Sequence, residues 1–276
     1  MEDPGRLREL AVRVRLDVLE MIRAAGSGHP GGSLSLVELL VYLYFHRMSL
    51  RPGEPRWEGR DRLILSKGHA CPALYSVLAR RGYFDPEVLP SLRKLDSPLQ
   101  GHPDMRKLPG LDASTGSLGQ GLSTACGLAR GLRLSGSDAH VYCILGDGEL
   151  QEGSVWEAAM SARTAALGGL TAIVDRNGVQ LDGRVDELKP LEPLREKWEA
   201  FGWTVLDCGG HDFESIHRAF EERGSASGPA VVIARTVKGK GVSFMEDTCL
   251  WHGGCPDDEE YARAVSEIRG EEVAHG

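Results

Sequence analysis

Asp147 stands between Gly146 and Gly148, and further along the chain Asn177 is followed by Gly178 and Val179. Each polar residue comes just after a short apolar run, 141–145 for the first and 170–174 for the second, and such runs read as strands buried in a parallel sheet. Residues 152–166 between them are helix-like and are closed by Gly168 and Gly169, so the unit is strand, helix, strand, with room for one right-handed crossover. Both residues therefore arrive at the carboxyl edge of the sheet. A carboxylate, an amide oxygen and a nearby backbone carbonyl make half of an octahedral shell for Mg²⁺ or Ca²⁺, and such a metal usually takes its other ligands from phosphate and water. The glycines flanking Asp147 let backbone approach a bulky anion closely. The expected chemistry is a diphosphate held by a metal.

The elements that must position these residues can be read from periodicity. Leu7, Leu10, Ala11, Val14, Val18, Met21 and Ile22 recur at helical spacing and predict a first helix that stops near Gly26. Ser35 with Glu38 has the form of a capping box for a second helix reaching residue 45. Strands at 62–65, 204–207 and 230–235, and helices at 70–80, 119–132, 194–201 and 213–222, complete the alternation. The expectation is an α/β fold with a doubly wound, mostly parallel sheet. With no repeat or low-complexity linker, residues 1–276 read as one domain that closes on a helix at about 257–272. The long loop at 95–118 is expected to be functional, because structureless stretches of that length in compact domains usually are. It carries His102 and Gly116.

Composition sets the outer limits. Glycine accounts for 35 of 276 residues, which suits a fold with many tight turns near a ligand. A net charge of −8 with no cluster of Lys and Arg argues against nucleic-acid binding. The apolar segment 36–45 contains Glu38 and is too short to span a bilayer, and no basic region followed by an apolar stretch opens the chain, so a soluble cytoplasmic protein is expected. The six cysteines lack paired C-x-x-C spacing and are expected to be reduced. Cys249, His252 and Cys255 do offer three zinc ligands, but a fourth is missing.

Nine histidines are present, and His29, His69, His102 and His252 abut glycine in segments that read as loops or element ends. That pairing lets backbone come close to a ligand while an imidazole gives or takes a proton. Four together point to a polyhydroxylated or phosphorylated ligand. His46, His140, His217 and His275 are read as surface or structural, and so is His211, which precedes the helix N-cap candidate Asp212.

Gly-Asp-Gly followed about thirty residues later by Asn is a thiamine diphosphate signature. Glu149-Leu150-Gln151-Glu152-Gly153, Trp156-Glu157-Ala158 and Asn177-Gly178-Val179-Gln180-Leu181-Asp182-Gly183 surround it. Ser27-Gly28-His29-Pro30-Gly31-Gly32, Ser66-Lys67-Gly68-His69, Gly101-His102-Pro103-Asp104 and Ser114-Thr115-Gly116-Ser117-Leu118-Gly119-Gln120-Gly121 precede it. In order and spacing these segments resemble transketolase, from about residue 10 to about residue 255. The resemblance implies the thiamine diphosphate-binding fold, in its diphosphate-binding domain. It implies that Asp147, Asn177 and the Val179 carbonyl bind Mg²⁺ (Ca²⁺ or Mn²⁺ being alternatives), and that Gly148 offers its N–H to the diphosphate. His69 and His252 would contact the diphosphate or the C1 side of the sugar, and His29 and His102 the donor hydroxyls. Gly116 and Leu118 would lie along the cofactor, and Glu152 and Glu157 in a proton network at a subunit interface. Ser117 stands where the family often has proline, so the rigidity of that turn is a local departure.

The implied reaction moves a two-carbon ketol unit from a ketose phosphate to an aldose phosphate through the cofactor, with histidines moving the hydroxyl protons. In the family a glutamate from a following pyrimidine-binding domain is needed as well, and no segment here resembles that domain. The expectation is an N-terminal subunit of a split transketolase, which forms an α₂β₂ complex with a separately encoded C-terminal subunit and is active only there. Three other readings stay open: a specialised two-carbon transferase, the thiamine-binding chain of a 2-oxo acid dehydrogenase, and a non-catalytic regulatory subunit.

Overall fold

A computed structural model describes residues 3–224 and 227–274, with side chains through residue 270. His275 lies outside the described residues. Helix α1 (Pro4–Ala25) follows the predicted apolar period and ends where Gly26 turns left-handed at φ 66°. Then come α2 (Pro30–Leu34) and α3 (Val37–Tyr42), which runs into one π turn (Leu43–Arg47). The predicted capping box does not form. Leu36 is the N-cap of α3, the Ser35 hydroxyl donates to the Gly32 carbonyl and to Asp175, and Glu38 turns to Arg15 and His211. Buried tertiary partners have taken both side chains from the local motif.

Strand β1 (Arg62–Leu65) leads to α4 (Cys71–Arg81) and a 3₁₀ stretch (Pro86–Ser91). After the long loop come α5 (Gln120–Leu134), β2 (Val141–Gly146), α6 (Gly153–Thr164) and β3 (Leu170–Arg176). The short α7 (Val185–Leu188) and then α8 (Leu194–Ala200) connect to β4 (Thr204–Gly209), α9 (Phe213–Arg223) and β5 (Ala230–Arg235), and α10 (Asp258–Ala274) closes the fold.

Among the described residues the strands form one parallel sheet in the order β1-β2-β3-β5-β4. Side chains alternate between two cores, with Leu63, Tyr142, Ile144 and Ile173 on one face and Ile64, Cys143, Leu145, Ala172 and Val174 on the other. Helices α5, α6 and α8 cover the second face, and α1, α3, α4 and α9 the first. Right-handed crossovers account for the faces taken by α5, α6, α8 and α9. The steps from β1 through β3 to β4 all advance in one direction across the sheet, whereas β4 to β5 steps back, which puts α9 on the opposite face. Every strand then delivers its carboxyl end, and the loop after it, to one edge. No described helix is long and apolar enough to cross a membrane.

Candidate active site

Register places Gly146 beside Asp175, so Asp147 and Asn177 leave adjacent strands at the same height. Asp147 is buried at 3% exposure, and its oxygens accept from the amides of Gly148 at 2.8 Å and Gly178 at 2.6 Å. Burial, opposed by those two amides, lifts its pKa to about 6. Among the described residues no Lys or Arg forms an ion pair with it. The Asn177 amide orientation follows from its neighbours: its Nδ2 donates to Asp175 at 3.3 Å, and its Oδ1 accepts from Val179 N at 3.1 Å. Asp147, Asn177 and Val179 line one pocket, and a set of oxygen donors suits a hard divalent cation better than zinc. Among the described residues no cluster of His, Cys, Asp and Glu could hold a metal by itself, so Cys249, His252 and Cys255 are not gathered as metal ligands.

The Gly148 amide, expected at a diphosphate, donates to Asp147 Oδ1 at 2.8 Å. A buried carboxylate without a paired cation draws in the nearest donors.

Two buried lysines, to which the motifs give no role, frame the other side of this shelf. Lys67, following β1, is ion-paired with Asp175, whose carboxylate also accepts from Ser35 and Thr236. Lys238, following β5, is only 1% exposed and has no carboxylate partner among the described residues. Its Nζ donates to the carbonyls of Val179 and Gln180, both at 3.1 Å, and to His252 Nδ1 at 3.0 Å. Burial and the nearby Lys67 charge pull its pKa down to about 8, so it remains a cation at neutral pH. The signal for it is the Lys238-Gly239-Lys240-Gly241 alternation just beyond an apolar strand. Gly32, Lys67, His69, Leu118, Asp147, Gly148, Glu152, Asn177, Val179, Lys238 and His252 all line the same pocket.

The four glycine-flanked histidines converge from four separate loops. Ring centroids lie 5.2 Å apart for His29 and His69, 5.1 Å for His69 and His252, 5.6 Å for His29 and His252, and 6.4 Å for His29 and His102. All are held neutral. Burial, then Lys67, takes His69 down to about 2, and burial with Lys238 takes His252 to about 4. Burial, then Arg93, takes His29 to about 4 and lowers His102 as well. Arg93, which no motif marks, sits at φ 61° and donates to Ser27 Oγ at 3.1 Å and His29 Nδ1 at 3.3 Å. A cation can only donate, so Nδ1 accepts in both His29 and His252 and each carries its proton on Nε2. Gly116 is needed where it stands: its φ is 146°, and a Cβ there would lie 3.1 Å from the His102 ring. The turn that lacks proline at Ser117 is tied by the Thr115 amide to the Pro103 carbonyl at 3.2 Å.

Glu149 locks these loops together. Its carboxylate, 3% exposed, accepts from the Ser66 hydroxyl after β1, from the Gly119 amide at 2.9 Å ahead of α5, and from the Gly146 amide at 3.1 Å. Leu118 lies at the pocket rim with 39% exposure. Glu152 is the N-cap of α6, and Glu157 lies farther along the outer face of that helix, in a groove with Arg130, Arg133 and Met160.

A parallel sheet whose carboxyl edge presents oxygen donors, a buried lysine with no carboxylate partner among the described residues and a cluster of neutral histidines is the frame of a thiamine diphosphate-binding domain. The family profile described as "Transketolase, thiamine diphosphate binding domain" matches residues 7–272, and the chain belongs to that family. It is 45% identical over 266 residues to the 6-deoxy-6-sulfo-D-fructose transketolase subunit of a Clostridium species, covering 96% of this chain and 97% of that protein. It is 41% identical over 255 residues to an apulose-4-phosphate transketolase subunit of Phocaeicola vulgatus, covering 92% of this chain and 90% of that one. Among solved structures, transketolase from Campylobacter jejuni matches with a TM-score of 0.90 at 36% identity, over 98% of this chain but 43% of that one. The chain therefore spans less than half of that transketolase chain, and its extent is that of the relatives named as subunits.

Proposed function

We propose that this chain, folded as one domain, binds thiamine diphosphate through a divalent metal. With a separately encoded partner it would transfer a two-carbon ketol unit from a ketose phosphate to an aldose phosphate. The observation that carries this reading is that two buried charges with no ion-pair partner among the described residues, Asp147 and Lys238, face one pocket. Each is costly alone. A metal diphosphate offsets both at once: Mg²⁺, or Ca²⁺ or Mn²⁺, on Asp147, Asn177 and the Val179 carbonyl, and phosphate oxygens toward Lys238. When bound, the cofactor supplies the nucleophilic carbon and electron sink that hold the two-carbon unit during transfer.

The chain's own residues bind, orient and move protons. His29 and His252, with Nδ1 occupied by cations, act as hydrogen-bond donors through Nε2: His29 toward the donor's hydroxyls, His252 with His69 toward the diphosphate and the C1 side of the sugar. His102 is the most exposed of the four, and among the described residues neither of its ring nitrogens is engaged, so it is the group able to take a hydroxyl proton. Gly116 and Leu118 would flank the cofactor rings.

Several observations favour a partner. The relatives of matching length are named as subunits, and Leu118, Met160 and Leu134 leave apolar surface open near α5 and α6. The partner is a C-terminal subunit supplying the pyrimidine domain and its glutamate. In an α₂β₂ assembly Glu152 and Glu157 would meet at the interface. Six free cysteines suit a cytoplasmic setting. The specialised two-carbon transferase reading also draws support, since those two relatives carry names with unusual sugars. The test is to supply the purified chain, with and without the partner, with thiamine diphosphate, Mg²⁺ and a panel of ketose and aldose phosphates. Turnover is expected from the pair alone, and turnover by the single chain would refute the partner requirement.

A further inference from the structure

We infer that His211 is a positioning residue for the diphosphate end of the site, acting with Glu38 and Arg15 to set the loop that carries Lys238. Its Nε2 accepts the Val237 amide at 2.9 Å, and because a backbone amide can only donate, the ring proton lies on Nδ1. Nδ1 donates it to Glu38 Oε2 at 2.8 Å. The other Glu38 oxygen binds Arg15 Nη2 at 2.7 Å, and Arg15 Nε donates to the Lys240 carbonyl at 3.0 Å. The network thus starts and ends on one loop, gripping residues 237 and 240 on either side of Lys238. Arg15 and Glu38 are 3% and 6% exposed. Packing alone would be served as well by apolar residues, since taking an ion pair out of water costs more than its attraction usually returns. What the polar set adds is direction, because both of its ends bond backbone atoms that fix where the Lys238 ammonium stands.

The inference rests on the reading that Lys238 faces a diphosphate, and the experiment separates the two. The full-length chain is titrated calorimetrically with pyrophosphate and Mg²⁺. Lys238→Met is expected to weaken binding at least tenfold and His211→Leu about tenfold, the scale of one misplaced charged hydrogen bond. His211→Gln should recover most of the loss, because its amide can accept from Val237 and donate to Glu38. If His211 works through Lys238, the double variant His211→Leu/Lys238→Met binds no more weakly than Lys238→Met. Leu167→Ala, a core change at the opposite edge of the sheet, should lower Tm and leave affinity unchanged. Should His211→Leu fail to fold, His211→Asn, too short to reach Val237, carries the same comparison. Losses that add in the double variant, or full affinity in His211→Leu beside a weakened Lys238→Met, overturn the positioning role. Full affinity in Lys238→Met overturns the diphosphate reading and this inference with it.

Discussion

Asp147 is a charge that forms no ion pair with a cation among the described residues, and its behaviour separates a ligand from a structural carboxylate. Its folded pKa is raised, so the stability it contributes is present below the ordinary carboxylate range and is lost as pH rises through about 6. Asp147→Asn should therefore leave the metal-free chain as stable as the native sequence or more so at pH 8, while abolishing Mg²⁺-dependent binding of thiamine diphosphate. A paired thermal melt and calorimetric titration checks both, and unchanged cofactor affinity would remove Asp147 from the metal site. The histidines divide in a similar way. His69 stands against the shelf between Lys67 and His252, whereas His102 has its ring beside His29 and Gly116, so His69→Ala should weaken cofactor binding. His102→Ala should lower kcat/KM for the ketose with near-normal cofactor affinity. Equal effects of both variants on cofactor binding would contradict the division. The residue types and their glycine neighbours mark the four histidines as facing a ligand, and the division of roles among them comes from the family resemblance. The tautomers are not legible in the sequence, because Arg93 and Lys238 lie far from His29 and close to His252 respectively, and nothing local shows that either aims at a ring nitrogen.

At the scale of elements, the site depends on loops held at one height by shared polar groups. Glu149 bonds the ends of β1 and β2 and the start of α5, so Glu149→Ala leaves a hydroxyl and two amides without their acceptor. The expected cost is about 3 kcal/mol, seen as a lower urea midpoint at unchanged slope. A loss below ~1 kcal/mol would mean that the loops are held by packing alone. Strands β1 and β5 fall where the apolar runs put them, and α1 and α9 follow their periodicity to their ends, since a buried face must be apolar whatever its partner. The segment 35–45 departs from its predicted form for a definite reason. Ser35 and Glu38 have the local chemistry of a cap, yet Asp175, Arg15 and His211 offer buried bonds that a helix N-terminus cannot match. The short α7 gives no signal, because four residues are too few for a period to show.

For the molecule as a whole, several buried neutral imidazoles predict acid sensitivity. His69 is lowered to about 2 and His140, bonded to Thr171 at 2.9 Å, to about 3, in each case by burial first. The unfolded chain takes up protons near pH 6.5 that the folded chain refuses, so this stability is complete above that range and is lost as pH falls below it. Asp147 works in the opposite direction, and saturating Mg²⁺ should suppress its part. Between pH 7.5 and 5.5 with Mg²⁺ present, Tm should fall by roughly 5 °C. His140→Gln should flatten that slope, and a slope that stays the same would show that His140 is charged in the fold.

The motifs determined the family and the apolar runs the parallel sheet, and the candidate site residues were marked because metal ligands and close backbone approaches to a ligand restrict residue type at fixed spacing. Asp147, Asn177, the four histidines and Gly116 could be named from that restriction. Tertiary structure alone decided which charges stay unmatched. Lys67 meets Asp175 through two strand ends, Lys238 meets no carboxylate among the described residues, and His211 reaches Glu38 across the junction of β4 and α3. Whether a buried charge is neutralised depends on every element that converges on it, and that convergence is a property of the sheet's carboxyl edge rather than of any one segment.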